Sequence, residues 1–372
     1  MSEFIVRNNK KLRTGITTGT CAAAAAKAAC CLLLRGADCQ EVFIDVGRDD
    51  PLAVAVSKSE CFDHGATSSV IKDAGDDPDV TDGLEICVTL TKTESGFIID
   101  GGEGVGRVTK PGLQIPIGHA AINPVPLRMI EHEVRGVCQE CNYEGGLRIV
   151  VSVPNGKEIA KKTMNERLGI ISGISILGTT GIVEPMSERA IVETIKAEMN
   201  IHIAEGSDSL LVTPGNYGRE FARTELGLDI VHAVKCSNFI GEMLDYAVFR
   251  GVKKLILIGH AGKLIKLAGG IMNTHSRYAD CRMEILAVHT AFCGGSREIV
   301  QAVMDCITVE AAIALLRPQP FYETLQQNIA KKIAYHINAR TGNELIVEFI
   351  VFTLENGIFI HADTTFGENE II

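Results

Sequence analysis

The sequence predicts a two-domain chain of mixed α/β and α+β class, with an N-terminal α+β domain over residues 1–165 and a Rossmann-like parallel-sheet domain over residues 166–372. Three observations predict it. The chain has 372 residues, more than one hydrophobic core usually holds. Its first part combines one alanine-rich helical run with several strand-like runs. In its second part, apolar runs alternate with amphipathic segments, which is the order of parallel strands joined by helical crossovers.

The first domain begins with a threonine-rich segment, Gly15–Thr20, which leads into an alanine-rich helix over Cys21–Leu34. Pro and Gly punctuate Gly101–Pro126, so we expect an ordered functional loop there, followed by a short helix, Met129–Arg135. Strands are predicted where β-branched and apolar residues cluster, at Glu41–Val46, Leu52–Ser57, Leu84–Thr91, Phe97–Asp100 and Leu147–Val153.

The second domain repeats the order strand, loop, helix. Its strands are predicted at Ile170–Leu177, Ser209–Thr213, Ile230–Lys235, Lys253–Ile258 and Glu344–Leu354. Its helices are predicted at Glu188–Met199 and Arg219–Leu226, around Ile240–Val248, after Gly262, and at Ala279–Phe292 and Arg297–Leu316.

The composition limits the class of partner. The formal net charge is −10, so neither nucleic acid nor an anionic membrane is an expected partner. The apolar run Cys21–Leu34 is shorter than the ~20 residues that span a bilayer and contains Lys27, which favours a buried helix in a cytoplasmic protein.

The twelve cysteines are typical of free thiols in a reducing compartment. Cys138 and Cys141 form the only C-x-x-C and are either buried thiols or a redox or metal pair. Paired metal-ligand spacings such as H-x-x-x-H are missing from the sequence, so we expect no dedicated metal site.

Three glycine-containing loops follow predicted strands of the second domain. They are Gly178–Gly181, Pro214–Gly218 and Gly259–Gly262. Ligands of open parallel sheets bind at the carboxyl ends of the strands, so these loops predict a pocket, although glycine also serves tight turns alone. None of the loops fits G-x-G-x-x-G or a Walker loop, which argues against a standard dinucleotide or ATP site.

Two polar segments of the first domain each have two interpretations. Thr17, Thr18 and Thr20 precede a helix, where their hydroxyls either cradle an anion or only cap the helix. The acidic segment from Asp73 to Asp79 either binds a cation or acts as a general base, or is a solvated turn.

These motifs resemble a known family. The segments are Thr14-Gly-Ile-Thr-Thr-Gly-Thr, Lys72-Asp-Ala-Gly-Asp-Asp-Pro-Asp, Gly104-Val-Gly-Arg-Val-Thr-Lys-Pro-Gly, Ala121-Ile-Asn-Pro-Val-Pro, Gly173-Ile-Ser-Ile-Leu-Gly-Thr-Thr-Gly and Gly259-His-Ala-Gly-Lys-Leu-Ile-Lys. Together they resemble the cobalt-precorrin-5B (C1)-methyltransferases of anaerobic cobalamin biosynthesis, the CbiD family. The resemblance extends from residue 14 to beyond residue 275.

The resemblance implies methyl transfer from S-adenosylmethionine to C1 of cobalt-precorrin-5B, which gives cobalt-precorrin-6A. Cobalt would enter only as part of the corrinoid substrate. A homo-oligomer is left open. The alternative hypothesis is a non-catalytic corrinoid carrier or cobalt-delivery protein. A Rossmann-type oxidoreductase is a third, which the missing dinucleotide motif opposes.

Residue roles follow from chemistry. The methyl donor is expected at the first strand–loop–helix turn of the second domain, against Gly178, Thr179, Thr180 and Gly181, with Pro214, Gly215 and Asn216 facing it. His260 or Asp76 would assist proton transfer if positioning alone does not suffice. The carboxylates of the corrinoid need cations and polar donors, and the candidates are Arg107, Lys110, Arg128, Lys263 and Lys266, with Thr17, Thr18 and Thr20.

Overall fold

The computed structural model describes residues 4–7, 9–48 and 50–365. The chain divides into two compact units, residues 1–188 and 189–372, here called unit 1 and unit 2. The boundary therefore lies later than the predicted one at 165/166. The difference matters because it assigns the segment 166–188, with the Gly178–Gly181 loop, to unit 1.

Unit 1 is an α+β structure, and the helices among its described residues are α1 (Thr18–Arg35), α2 (Pro124–Glu140) and α3 (Gly156–Ala160). Its strands are β1 (Phe4–Arg7), β2 (Lys10–Arg13), β3 (Gly15–Ile16), β4 (Glu41–Ile44), β5 (Leu52–Ala55), β6 (Lys58–Phe62), β7 (Gly65–Ile71), β8 (Glu85–Thr93), β9 (Phe97–Gly101), β10 (Arg107–Val108), β11 (Gly146–Ser152), β12 (Ile170–Ile171) and β13 (Ile182–Val183).

The main sheet of unit 1 has the strand order β6-β7-β8-β11-β9, in which only the β11–β9 pair is parallel. The remaining strands form two-stranded pairs, among them β10 with β12 and β3 with β13. Helix α1 packs against α2 and against β7 and β8 of this sheet.

Helix α1 explains how the N-terminal sequence fits into this core. Thr17 caps its start, because the Thr17 side chain accepts a hydrogen bond from the Thr20 amide. Gly36 ends it in the left-handed conformation, with φ of 67°. Alanine favours the helix and presents no bulk, so the run Ala22–Ala26 is completely buried.

Unit 2 is built on one five-stranded sheet. Its strands are β14 (Ser209–Thr213), β15 (Val234–Lys235), β16 (Lys254–His260), β17 (Ile346–Thr353) and β18 (Gly357–Asp363). Its helices are α4 (Glu188–Ala204), α5 (Asn216–Thr224), α6 (Ile240–Phe249), α7 (Ala261–Leu264), α8 (Arg282–Phe292), α9 (Arg297–Met304), α10 (Val309–Leu316) and α11 (Tyr322–Thr341), with a 3-10 turn at Ile265–Gly269.

The sheet of unit 2 has the order β15-β14-β16-β17-β18, with the first four strands parallel and β18 antiparallel. Helices cover both faces. Helix α5 packs through Ala222 on Ile258 and Phe352, whereas α6 and α11 contribute to the larger core on the opposite face. The predicted fold class, an α+β part followed by a Rossmann-like part, is confirmed.

Several predicted elements differ from the structure. Ile170–Leu177 is not a strand of the parallel sheet: β12 pairs with β10, and Ile174 and Ile176 bridge Val105 and Ile122 inside unit 1. Helix α2 is longer than predicted, and the predicted helix 297–316 is two helices, α9 and α10. No helix among the described residues is long and apolar enough to cross a membrane.

Candidate functional site

The carboxyl edge of the sheet in unit 2 contains a topological switch point. The chain runs from β14 through α5 to β15 on one side, then returns through α6 to β16 on the other side of β14. In open α/β sheets, the crevice outside the strands at such a reversal is the usual ligand site. The loops that follow β14 and β16 flank it. They fall within Pro214–Gly218 and Gly259–Gly262, two of the three loops predicted from sequence.

The first wall of this crevice is the start of α5. Gly215 precedes the helix in an extended conformation, and no side chain caps the first turn. Gly218 permits close approach, because a Cβ there would lie 2.6 Å from the Ile258 carbonyl oxygen and 3.1 Å from Thr213 Cβ. The Thr213 hydroxyl is buried without a hydrogen-bond partner. Uncapped amides at a helix N-terminus favour an anion.

Lys263 places a cation at the same edge. Its Nζ donates to the carbonyl oxygens of Pro214 and Ser237, over 3.3 and 3.5 Å, so it joins the loops after three strands. No carboxylate in the described part of the chain forms an ion pair with it. Burial lowers the pKa of the Lys263 ammonium below its ordinary value, and the nearby cations Lys235 and Lys266 lower it further. A bound anion would stabilise the charged form of Lys263.

His260 is held by both ring nitrogens. The Gly262 amide donates to Nδ1 over 3.0 Å, so Nδ1 is the acceptor and the ring proton lies on Nε2. Nε2 donates to Glu310 Oε1 over 2.7 Å, and the Leu354 amide donates to the same oxygen. Glu310, which the sequence analysis did not select, therefore fixes the orientation and the tautomer of His260.

Lys266 has a different position from the one expected of a substrate-binding cation. It is 2% exposed, and its Nζ donates to the carbonyl oxygens of Thr274 and Ala279. Thr274 in turn contacts the Asn238 side chain over 3.2 Å. Lys266 thus fixes the loop after the 3-10 turn, and Thr274 of that loop contacts the loop after β15.

In unit 1 the threonine segment and the Gly178–Gly181 loop lie together. Thr18 Oγ1 accepts from the Leu177 amide over 2.9 Å, and Thr20 Oγ1 donates to the Gly181 carbonyl oxygen over 2.6 Å. A Cβ at Gly178 would lie 2.3 Å from Thr17 Oγ1. These hydroxyls therefore join two segments of the protein and do not form an open anion cradle.

The predicted donor site at Gly178–Gly181 consequently lacks its structural premise, because the loop does not follow a strand of the parallel sheet. Gly178 and Gly181 have positive φ values of 149° and 75°, and the space beside them is filled by Thr17 and Val46. The side chains of Thr179 and Thr180 are exposed, and Thr180 Oγ1 donates to the Ile182 carbonyl oxygen.

The acidic segment 73–82 is occupied by hydrogen bonds of unit 1 itself. Asp76 Oδ2 accepts from the Arg13 amide over 2.6 Å, and Asp82 Oδ1 accepts from the Ala74 amide over 2.7 Å. The Arg13 guanidinium hydrogen-bonds to Asp73 and holds the pKa of that carboxyl below its usual value. Asp76 is exposed but serves mainly to fix the end of β2.

The three predicted cations of unit 1 differ in availability. Arg107 donates to Asp100 and to the Gly101 carbonyl oxygen, so its charge is matched. The side chain of Lys110 packs against Gly169. Arg128, in contrast, is exposed and forms no ion pair within the described residues. A cavity of about 110 Å³ in unit 1 is lined by Asp100, His119 and Leu127 among others, and by none of these three cations.

The C-x-x-C pair is part of the core of unit 1. Cys138 is buried in α2, and burial raises the pKa of its thiol. Arg35 Nε contacts Cys141 Sγ over 3.3 Å. All twelve cysteines are free thiols. A buried thiol with a raised pKa is a poor nucleophile, which favours the interpretation as a structural pair.

Comparison with known proteins agrees with the motifs. The CbiD family model matches residues 5–185, and the model of the CbiD C-terminal domain matches residues 273–363. A protein of Ruminiclostridium cellulolyticum named cobalt-precorrin-5B C(1)-methyltransferase is 48% identical over 371 residues, covering 97% of this chain and 96% of the relative. The chain belongs to the CbiD family.

Two further CbiD relatives are less similar to the chain. A protein of the same name from Methanocaldococcus jannaschii is 41% identical over 333 residues, covering 89% of this chain and 91% of the relative. The crystal structure of the cobalamin biosynthesis protein CbiD from Archaeoglobus fulgidus is 30% identical, covers 75% of this chain and 87% of its own, and superimposes with a TM-score of 0.41.

Proposed function

We propose that this CbiD protein is a cobalt-precorrin-5B C1-methyltransferase of cobalamin biosynthesis, with S-adenosylmethionine as the methyl donor and cobalt-precorrin-6A as the product. The observation that carries the proposal is the near-complete coverage of relatives with this name, at up to 48% identity. The switch-point crevice of unit 2 supplies a suitable place for a nucleotide-like ligand with a charged tail.

The donor is assigned to this crevice. S-adenosylmethionine has an adenosine part and an amino acid tail that ends in a carboxylate. The tail carboxylate matches the uncapped start of α5 at Gly215 and Asn216, and the ammonium of Lys263. Pro214–Asn216, predicted as the facing wall, thus becomes the main wall. Gly178–Gly181 is not part of the proposed site, because those glycines are packed against α1.

The acceptor is a polyanion, so its site needs positive charge despite the net charge of −10. Arg128 is the best placed of the predicted cations in unit 1, because it is exposed and unpaired among the described residues. Lys110 and Arg107 are secondary candidates. Arg107 would first have to break its hydrogen bonds to Asp100. One charge-assisted hydrogen bond to a carboxylate contributes ~1.5–3 kcal/mol.

Catalysis is proposed to be mainly positional. The donor supplies a methyl group on a positively charged sulfur, which leaves as a neutral thioether once the bond to the ring carbon forms. An in-line displacement needs the reacting atoms ~3–3.5 Å apart. His260 has no free lone pair in this structure, since Nδ1 accepts from Gly262 and Nε2 carries a proton toward Glu310. We assign it to positioning of the loop at the crevice. Asp76 accepts a hydrogen bond from the Arg13 amide and holds the end of β2, so we assign it no part in proton transfer.

The remaining parts of the proposal concern context. Cobalt enters as part of the corrinoid substrate, and the chain acts in the cytoplasm, where its thiols stay reduced. Assembly into a homo-oligomer and the absence of nucleic acid partners remain expectations from the sequence.

The decisive experiment is an anaerobic incubation of the protein with cobalt-precorrin-5B and methyl-labelled S-adenosylmethionine, followed by mass spectrometry of the corrinoid. A gain of one labelled methyl group at C1 is expected, and none without the donor. Binding of the corrinoid with no methyl transfer would overturn the proposal and indicate the carrier function.

A further inference from the structure

Three side chains that the proposed function does not use converge in unit 2. His202 lies in the last turn of α4, and Glu205 follows three residues later. His232 arrives from the loop before β15. Glu205 Oε2 lies 3.4 Å from His202 Nδ1 and 3.6 Å from His232 Nδ1, and the three ligand atoms all lie within 4.8 Å of one another.

These distances are longer than a good hydrogen bond between nitrogen and oxygen, which is ~2.7–3.2 Å. They are close to the separation of two ligands on one tetrahedral zinc ion, about 3.3 Å for bonds of ~2.0–2.1 Å. The two imidazoles also direct the same ring atom, Nδ1, at a single carboxylate oxygen, and their planes cross at 85°. Hydrogen bonds from two imidazoles would be satisfied better if each ring donated to its own oxygen of the Glu205 carboxylate.

The surroundings fit an ion with one open coordination position. The side chain of His202 is 11% exposed, that of Glu205 25% and that of His232 53%. The inner ligand is therefore held by packing, while the outer side is open to water. Two imidazoles and a carboxylate form a borderline donor set that suits Zn²⁺ and Co²⁺ better than Ca²⁺ or Mg²⁺.

We propose that His202, Glu205 and His232 form a binding site for one divalent transition-metal ion, with Zn²⁺ as the reference ion and water in the fourth position. The proposal departs from the expectation of no metal site, which rested on spacing within short motifs. The ligands come from a helix end and a separate loop, so no short motif could reveal them.

The ion would stabilise the edge of the sheet. Strand β15 has only two residues and pairs with β14 through Val212–Val234 and Thr213–Lys235. A shared metal ion would tie His232, in the loop before β15, to the buried His202 in the last turn of α4. It would add to the existing hydrogen bond from the Lys235 amide to the side chain of Glu198 on α4.

The test uses the full chain without a histidine tag, freed of metal by a chelator and titrated with Zn²⁺ in a calorimeter. We expect one equivalent to bind with a Kd of about 10 µM or tighter. His232→Ala and Glu205→Gln should each weaken binding by more than about tenfold, because even outer-shell changes cost that much. Co²⁺ should give the visible absorption of a four-coordinate site in the wild type only.

The matched control is His361→Ala. His361 contacts Glu348 over 2.9 Å, and its side chain is as exposed as that of His232, but that pair has no second imidazole. This variant should bind Zn²⁺ like the wild type. Melting curves in the presence of chelator establish that each variant is folded. Wild-type protein that does not bind Zn²⁺, or folded His232→Ala and Glu205→Gln variants that bind it unchanged, would show a plain ion-pair cluster instead.

Discussion

Glu310 Oε1 accepts a hydrogen bond from His260 Nε2 over 2.7 Å, at the carboxyl end of β16. The same oxygen accepts from the Leu354 amide, which follows β17. The carboxylate therefore ties the ends of two neighbouring strands to the ring, and the ring ties the start of α7 through Gly262. The loop beside the crevice is thus held by hydrogen bonds of the protein itself.

Glu310→Ala should lower the methyl-transfer rate by on the order of 10- to 100-fold, because a loop that loses its anchor misplaces the reacting groups. Glu310→Gln keeps the acceptor oxygen for His260 and should retain more activity. If His260 acts by positioning, the pH profile of kcat keeps its shape in both folded variants. A profile that loses one limb in Glu310→Gln would show instead that His260 transfers a proton.

Lys263→Ala should weaken binding of S-adenosylhomocysteine by about tenfold or more, because one charge-assisted hydrogen bond is worth ~1.5–3 kcal/mol. The matched control is Lys253→Ala, since Lys253 is exposed and lies just before β16, whereas Lys263 follows the carboxyl end of that strand. Calorimetry on both variants checks the prediction. Equal affinities in Lys263→Ala, Lys253→Ala and wild type would place the donor elsewhere.

Alkaline pH should weaken donor binding through the same residue. Burial and neighbouring cations lower the pKa of Lys263, so its charge is lost at a lower pH than for an ordinary lysine. The charged form binds the carboxylate, and affinity for S-adenosylhomocysteine should therefore fall as the pH rises through this lowered pKa. Lys263→Arg keeps its charge and should show no such fall. A fall of the same size in the arginine variant would assign it to another group.

Gly178→Ala should destabilise unit 1 without changing donor affinity in the protein that remains folded. The added Cβ would lie 2.3 Å from Thr17 Oγ1, at a positive φ of 149°. Gly96→Ala is the control, because Gly96 has φ of 77° but no neighbour within 4 Å. We expect the midpoint of thermal unfolding to fall further in Gly178→Ala than in Gly96→Ala. The difference corresponds to a free energy of unfolding lower by ~1–3 kcal/mol. Weakened donor binding in the folded Gly178→Ala protein would restore this loop as a donor site.

The sequence predicted the parallel part of the fold well, because strands such as Ser209–Thr213 and Lys253–Ile258 are short apolar runs bounded by turn residues. Ile170–Leu177 has the same pattern but is buried by the Val105–Ile122 region of unit 1, a contact that no local pattern reveals. Strand β7 was missed because Gly65–Ile71 is rich in Ala, Ser and Thr.

The site residues show the same division. Pro214–Asn216 and His260 were found because glycine-rich loops at strand ends are visible in the sequence. Glu310 was not found, because it follows β16 by a long helical excursion and meets His260 only through the fold. Lys266 was assigned to the substrate from its position in the motif, but burial directs its ammonium to backbone carbonyls.

The alanines of α1 make this helix thinner than its neighbours. Along much of its length the side chains are methyl groups. Helix α2 and the strands β7 and β8 can therefore all approach the helix axis closely. Alanine loses no rotamer freedom on burial, and so this layer costs little side-chain entropy to assemble. The same close packing leaves no space for a larger side chain. An isopropyl group at Ala24 or Ala25 would push against neighbours on more than one side, so tolerance to substitution along α1 ends at the size of a methyl group.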